Sequence, residues 1–221
     1  MEKFSQKFQI YKNGFTLAEV LITLVIVGVV AALTIPTVIN TYVESSTVGK
    51  VKKGLSILGQ AKRLAEAQNG SIIGWDFEGS DNAQDSNKFW RYLKPHLSVV
   101  KECDYGSNPA DCSVSTLKGL STSNNYAFWG YYKFILSDGS VMWFRISGPK
   151  CSSTVQNVDN VCAIFFYDIN GDKKPNTIGK DVFSYNMNID GVYPSAGSCL
   201  GGDGWGCTAH IIKYGNMNYL H

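Results

Sequence analysis

Residues 14–35 read Gly14-Phe15-Thr16-Leu17-Ala18-Glu19-Val20 followed by LITLVIVGVVAALTI, and the rest of the chain is understood from them outward. Phe15 to Ile35 is a run of 21 residues with one ionisable side chain, Glu19. As a helix rising about 1.5 Å per residue it spans roughly 30 Å, the thickness of a bilayer's hydrocarbon core. Lys3, Lys7 and Lys12 stand before it against Glu2, so residues 1–14 carry the whole formal net charge of +2. Such a cationic flank keeps its end in the cytoplasm and sends the remainder across the membrane. An ordinary secretory signal explains the run poorly, because its core is longer than about 7–15 residues and no A-x-A site follows. A plain anchor explains the length but not Glu19, since a carboxylate at mid-bilayer costs about 2.5–3.5 kcal/mol and needs a partner.

Glycine, phenylalanine, a hydroxyl residue, leucine and glutamate in this register, with a basic leader before and a spanning helix after, resemble the class III signal of type IV prepilins and type II secretion pseudopilins. The resemblance covers about residues 8–40 and implies several things. A prepilin peptidase cuts between Gly14 and Phe15 and methylates the new Phe15 amine, leaving 207 residues with Glu19 in fifth place. Glu19 of one subunit then pairs with the Phe15 amine of its neighbour in a helical stack, which low dielectric would hold and which would set the axial stagger. The alternative for Glu19 is to snorkel to the headgroups. Pro36 falls where the family has a proline that marks a kink. Partners implied are the peptidase, other copies or related pilins, and an inner-membrane assembly platform.

Beyond Pro36, residues Val48, Val51, Leu55, Leu58, Ala61 and Ala65 recur at helical spacing and make one apolar stripe fit for packing on a sheet. Lys50, Lys52, Lys53, Lys62 and Arg63 line the other faces, Gly49, Gly54 and Gly59 soften the helix, and Gln68-Asn69-Gly70 stops it. The expectation is one long interrupted helix over about 15–68. A helix-poor region over roughly 70–125 follows, with a short helical piece at 85–93. Strands are expected at Tyr126–Leu136, Ser140–Ile146, Val161–Tyr167 and Asp181–Met187, the first two joined by the Ser137-Asp138-Gly139 turn, with Ala209–Tyr214 closing the sheet. One helix on an antiparallel meander is an α+β pilin-like roll. The domain reading is leader 1–14, membrane and filament-core helix 15–36, amphipathic continuation 37–70, and an extracytoplasmic β-rich region 71–221.

The six cysteines, Cys103, Cys112, Cys151, Cys162, Cys199 and Cys207, are even in number and fall outside the membrane on this topology, which argues for disulfides. Fifteen pairings are open; the clustering favours three local loops, each adding about 2–3 kcal/mol. No C-x-x-C supports zinc. Asp168, Asn170, Asp172 and, further on, Asp181 place oxygen ligands as a calcium loop requires, though Gly171 comes too early for an EF-hand and Lys173 and Lys174 oppose a cation. Some major pseudopilins hold calcium near their C-terminal strands, so calcium stands as the candidate cofactor against a plain Asn-Gly turn with solvated acids.

No enzyme is expected. His96, His210 and His221 lie apart, no catalytic motif occurs, and the glycine-rich stretch 201–206 opens no phosphate cradle. Trp75, Trp129 and Trp205 are stacking candidates for a glycan or peptide, or else core. With 44% hydrophobic and 17% charged residues the chain is not an extended disordered one. Past residue 14 it has 17 basic and 17 acidic residues, which gives duplex binding no electrostatic footing. The function expected is a pilin or pseudopilin subunit, single-pass in the inner membrane with its C-terminal region periplasmic or extracellular. The alternative is a membrane-anchored, calcium-dependent adhesin that never polymerises.

Overall fold

The apolar run and the amphipathic stretch after it form one helix, α1 (Leu17–Asn69), in a computed structural model that describes residues 14–106, 112, 116–127, 130–156, 158–171 and 173–221. The helix is continuous where an interruption was expected at Pro36. Proline withholds one backbone donor, and strong helix formers on both sides carry the ladder past a single missing bond. Gly70 ends the helix as the sequence implies, in a left-handed conformation (φ 80°) that glycine adopts without strain, its N–H bonded to Glu66 O at 2.8 Å.

The chain divides into two units, Met1–Val43 and Glu44–His221. In the described part of the first, every residue from Gly14 to Val43 is exposed except half-buried Ala31.

The second unit is built on a seven-stranded antiparallel sheet. Its strands are β1 (Val99–Tyr105), β4 (Tyr132–Leu136), β5 (Val141–Ile146), β7 (Val158–Asp168), β8 (Val182–Asn188) and β9 (Val192–Pro194) in that spatial order, with β6 (Ser153–Val155) also pairing β7. A separate two-stranded ladder joins β2 (Leu117–Lys118) to β3 (Asn125–Tyr126). The single strand expected over Tyr126–Leu136 is therefore two, β3 and β4. Strand β1 falls in the region read as helix-poor connection; Lys101, Glu102 and Asp104 obscure its alternation.

Strand alternation gives the sheet two covered faces. On one, Phe134, Phe144, Phe165, Tyr167, Phe183 and Tyr185 meet the stripe of α1, where Val48, Val51, Leu58, Ala61 and Ala65 are buried and Leu55 is half-buried. Here the reading of Gly54 is corrected. It does not soften the helix but lets it approach, because a Cβ there would stand 2.7 Å from the Tyr167 ring and 2.8 Å from the Tyr185 hydroxyl. Lys62 is corrected too: it is 2% exposed, its Nζ bonded to Glu66 Oε2 at 2.7 Å and Ile189 O at 3.0 Å. On the other face Val141, Trp143, Ile164, Phe166 and Val182 form a second cluster.

Helix α2 (Ala83–Leu93) begins at Asn82, whose side chain accepts the Asp85 N–H at 2.8 Å, and it buries Phe89, Trp90 and Leu93. Residues expected to close the sheet form a helix instead, α3 (Cys207–Tyr214). Cys207, Thr208 and Ile211 are its buried residues, a helical spacing that outweighs the β preference of Ile211 and Ile212.

Candidate processing and assembly site

Gly14, Phe15 and Thr16 precede α1 in irregular backbone, so the Gly14–Phe15 peptide bond lies outside the helical ladder. A Cβ at Gly14 would meet nothing within 4 Å, and Phe15 is 89% exposed. The leader expected at 1–14 lies, apart from Gly14, outside the described residues.

Thr16 and Glu19 form a reciprocal cap. The Glu19 N–H donates to Thr16 Oγ1 at 3.3 Å, while Glu19 Oε2 accepts both the Thr16 N–H and its hydroxyl at 2.8 Å. This is a capping box, and Thr-x-x-Glu was its sequence signal, which a reading centred on Glu19's charge passes over. The carboxylate also faces the positive end of the helix dipole. Glu19 is thus held one turn from Phe15, and Oε1 takes no bond among the described residues. Behind it the run Val20 to Ile35 offers apolar side chains on all sides, including Leu24 at 63% and Leu33 at 73% exposure. Helix α1 is long and apolar enough there to cross a membrane. Pro36 lies within the helix, among exposed residues.

The cysteines close three local loops: Cys103–Cys112, Cys151–Cys162 and Cys199–Cys207. In the acidic loop Asp181 is the organiser. Its Oδ1 accepts the Thr177 N–H at 2.7 Å, and Oδ2 accepts the Asn176 N–H at 2.8 Å and the Asn170 side-chain amide at 3.3 Å. Burial pushes its carboxyl up, and these bonds oppose the shift. Asp168 Oδ1 accepts the Asn170 N–H at 3.1 Å, and Asp172 lies outside the described residues. Asp168 and Asp181 thus both brace the turn, and among the described residues no three of His, Cys, Asp or Glu gather as a metal group.

Trp75 is not a free stacking surface: it is buried, stacked on Tyr92 at 4.6 Å, with its indole N–H bonded to Gly70 O. Trp129 lies outside the described residues. Trp205 is half-buried against Tyr126 and Phe166. The three histidines stay apart: His96 half-buried, His210 against the Tyr214 and Tyr219 rings, and His221 2.5 Å from Glu44 Oε1.

Among known families, the model of the prokaryotic N-terminal methylation motif matches residues 11–35. No curated protein and no solved structure matches the chain. The chain thus carries a type IV pilin-like prepilin signal at the head of a long helix, and that helix and the antiparallel sheet make an α+β pilin-like fold.

Proposed function

We propose that this chain is a pilin or pseudopilin subunit, made as a precursor, trimmed and methylated by a prepilin peptidase, and assembled from the inner membrane into a type IV pilus-like or type II secretion filament. The carrying observation is Glu19, an acid capped into the first turn of an otherwise apolar exposed helix and four residues from the Phe15 amine that cleavage would create. In the membrane the helix waits among lipid. In the filament its apolar surface is covered by other subunits, and Glu19 answers a neighbour's Phe15 amine at low dielectric. The disulfide-closed sheet unit forms the outer surface, and the role is structural rather than enzymatic. The neutral balance of the mature chain favours protein partners over nucleic acid.

Mass spectrometry of the mature protein tests this. The expected N-terminus is N-methylated Phe15, and an intact Met1 would leave an anchored module that does not polymerise. A Glu19→Ala variant is expected to enter the membrane and be trimmed but to stay out of filaments, and normal assembly of that variant would remove the pairing role.

A further inference from the structure

One end of the sheet unit gathers around the point where α1 enters it. Glu44, the first residue of that unit, holds His221. Two residues before His221, the Tyr219 hydroxyl donates to Gly179 O at 2.7 Å. Further along α1, Lys50 Nζ donates to Ile169 O at 3.1 Å. Both ends of the loop 169–181, between β7 and β8, are thereby tied to this region. Lys118 joins the loop, its N–H bonded to Asn176 O at 3.0 Å and its carbonyl to the Ile178 N–H at 2.9 Å.

Charge is sorted in this cluster. Lys118, Lys173, Lys174 and Lys180 are all exposed, and none of their ammonium groups takes an ion pair or hydrogen bond among the described residues. The acids near them are turned inward or engaged. Asp168 is 0% and Asp181 3% exposed, and Asp138 pairs with Lys53 at 2.6 Å. Asp203 accepts from the Thr122 and Tyr126 hydroxyls and the Asn124 amide, and Asp172 lies outside the described residues. Lys118 and Lys180 also line a polar cleft of about 420 Å³, together with Thr122, Ser123, Asn124 and Thr177. Among the described residues no aromatic ring lines it, so it offers cations and hydrogen-bond donors to an anion and no platform for stacked bases.

The length of chain back to the apolar run says what meets this end. The run closes at Ile35 and the sheet unit opens at Glu44, a separation of about 14 Å as helix and about 30 Å if fully drawn out. However the unit is turned, its entry end stays within that reach of a bilayer that holds the run. An anionic lipid surface attracts lysines that come within about a Debye length, roughly 8–10 Å, and each is worth about a fivefold gain in contact. We propose that Lys118, Lys173, Lys174 and Lys180 dock this end on the phosphate headgroups of an anionic lipid surface, with the Lys118–Lys180 cleft receiving one headgroup. The inference rests on the membrane-anchored precursor of the reading above and not on polymerisation. Docking holds the waiting subunit at the lipid, and entry into a filament gives the contact up.

The test uses the full chain, ¹⁵N-labelled, in nanodiscs of phosphatidylcholine alone or mixed with phosphatidylglycerol. A lipid spin-labelled in its acyl chain reports whether residues 17–35 are embedded, and one labelled at its headgroup reports surface contact. In the mixed discs the headgroup label is expected to broaden the Lys118, Lys173, Lys174 and Lys180 amides about threefold more than in phosphatidylcholine, and high salt should abolish the difference. Lys118→Gln combined with Lys180→Gln should lower contact about tenfold or more while melting within a few degrees of the parent. Arg91→Gln should broaden as the parent does, because its neighbour Tyr92 stacks on Trp75, which bonds Gly70 O at the other end of the unit's helix. The proposal is overturned if residues 17–35 embed and the four amides respond alike in both discs, or if the folded double variant keeps the full broadening. If residues 17–35 fail to embed, the anchored reading falls and takes the lipid contact with it. A shift of these amides by sodium phosphate or a DNA duplex, without any response to phosphatidylglycerol, assigns the cleft to a soluble anion and overturns the proposal as well.

Discussion

Gly54→Ala is the sharpest probe of how α1 meets the sheet. A methyl group there would stand 2.7 and 2.8 Å from two atoms of the Tyr167 ring and 2.8 Å from the Tyr185 hydroxyl, against about 3.5–4.0 Å for a comfortable carbon contact. Both tyrosines are fully buried, so neither ring has solvent to retreat into. Forcing an extra carbon into such packing costs about 1–3 kcal/mol. The Tyr185 hydroxyl also donates to Val51 O at 2.8 Å, and displacing it strands buried groups at about 1–3 kcal/mol. Alanine returns up to about 1 kcal/mol of helix propensity. The net expectation is a loss centred near 3 kcal/mol, or about 6–12 °C in melting temperature for a unit of this size. Circular dichroism of the chain in micelles reads it directly. Gly59→Ala is the control, because its Cβ would meet only the end of Arg63 at 3.6 Å, and it should gain up to about 1 kcal/mol. If Gly54→Ala is as stable as Gly59→Ala, the close approach has been misread.

Glu66→Ala leaves the buried Lys62 ammonium with only a carbonyl, and chemical denaturation should show a loss of about 3 kcal/mol that Lys62→Met in the same chain largely restores. The Asp138 carboxyl is pushed up by burial, but hydrogen bonds from Lys53 and Ser140 and the Lys53 charge outweigh this and bring it down to about 2. Its folded value is depressed, so its contribution is complete above about pH 4 and is lost as pH falls through about 2. Half-exposed Lys53 limits that contribution to about 1 kcal/mol, and Asp138→Asn and the parent should converge in stability near pH 2. Thr16→Ala removes one arm of the capping box at about 1 kcal/mol, so amides at the start of α1 should exchange roughly fivefold faster in micelles, with Thr16→Ser close to the parent. Asp181→Ala should lower the melting temperature equally with and without calcium, and a loss seen only with calcium would instead support a cation in that loop.

What the sequence made legible was whatever rests on a strong period. The 21-residue apolar run, the stripe from Val48 to Ala65 and the runs around β5, β7 and β8 each repeat long enough to outvote their neighbours. What escaped depended on partners distant in sequence. Lys62 looks like a surface lysine until Ile189 O is placed beside it, and Gly54 looks like a weak point until Tyr167 and Tyr185 arrive. The eight residues of α3 are as compatible with a strand by composition, and burial of Cys207, Thr208 and Ile211 decides otherwise. At the N-terminus the motif residues were visible, but the Thr16–Glu19 cap was missed although its spacing was in plain view.

The three disulfides are short-range, joining residues 9, 11 and 8 apart. A thread of 178 residues from Glu44 to His221 is roughly 600 Å long when drawn taut, and these knots withhold only about 80–100 Å of it. Under tension, a unit built this way resists first through the zipped backbone of its sheet, and its crosslinks do little to shorten the tether that remains once the sheet gives way.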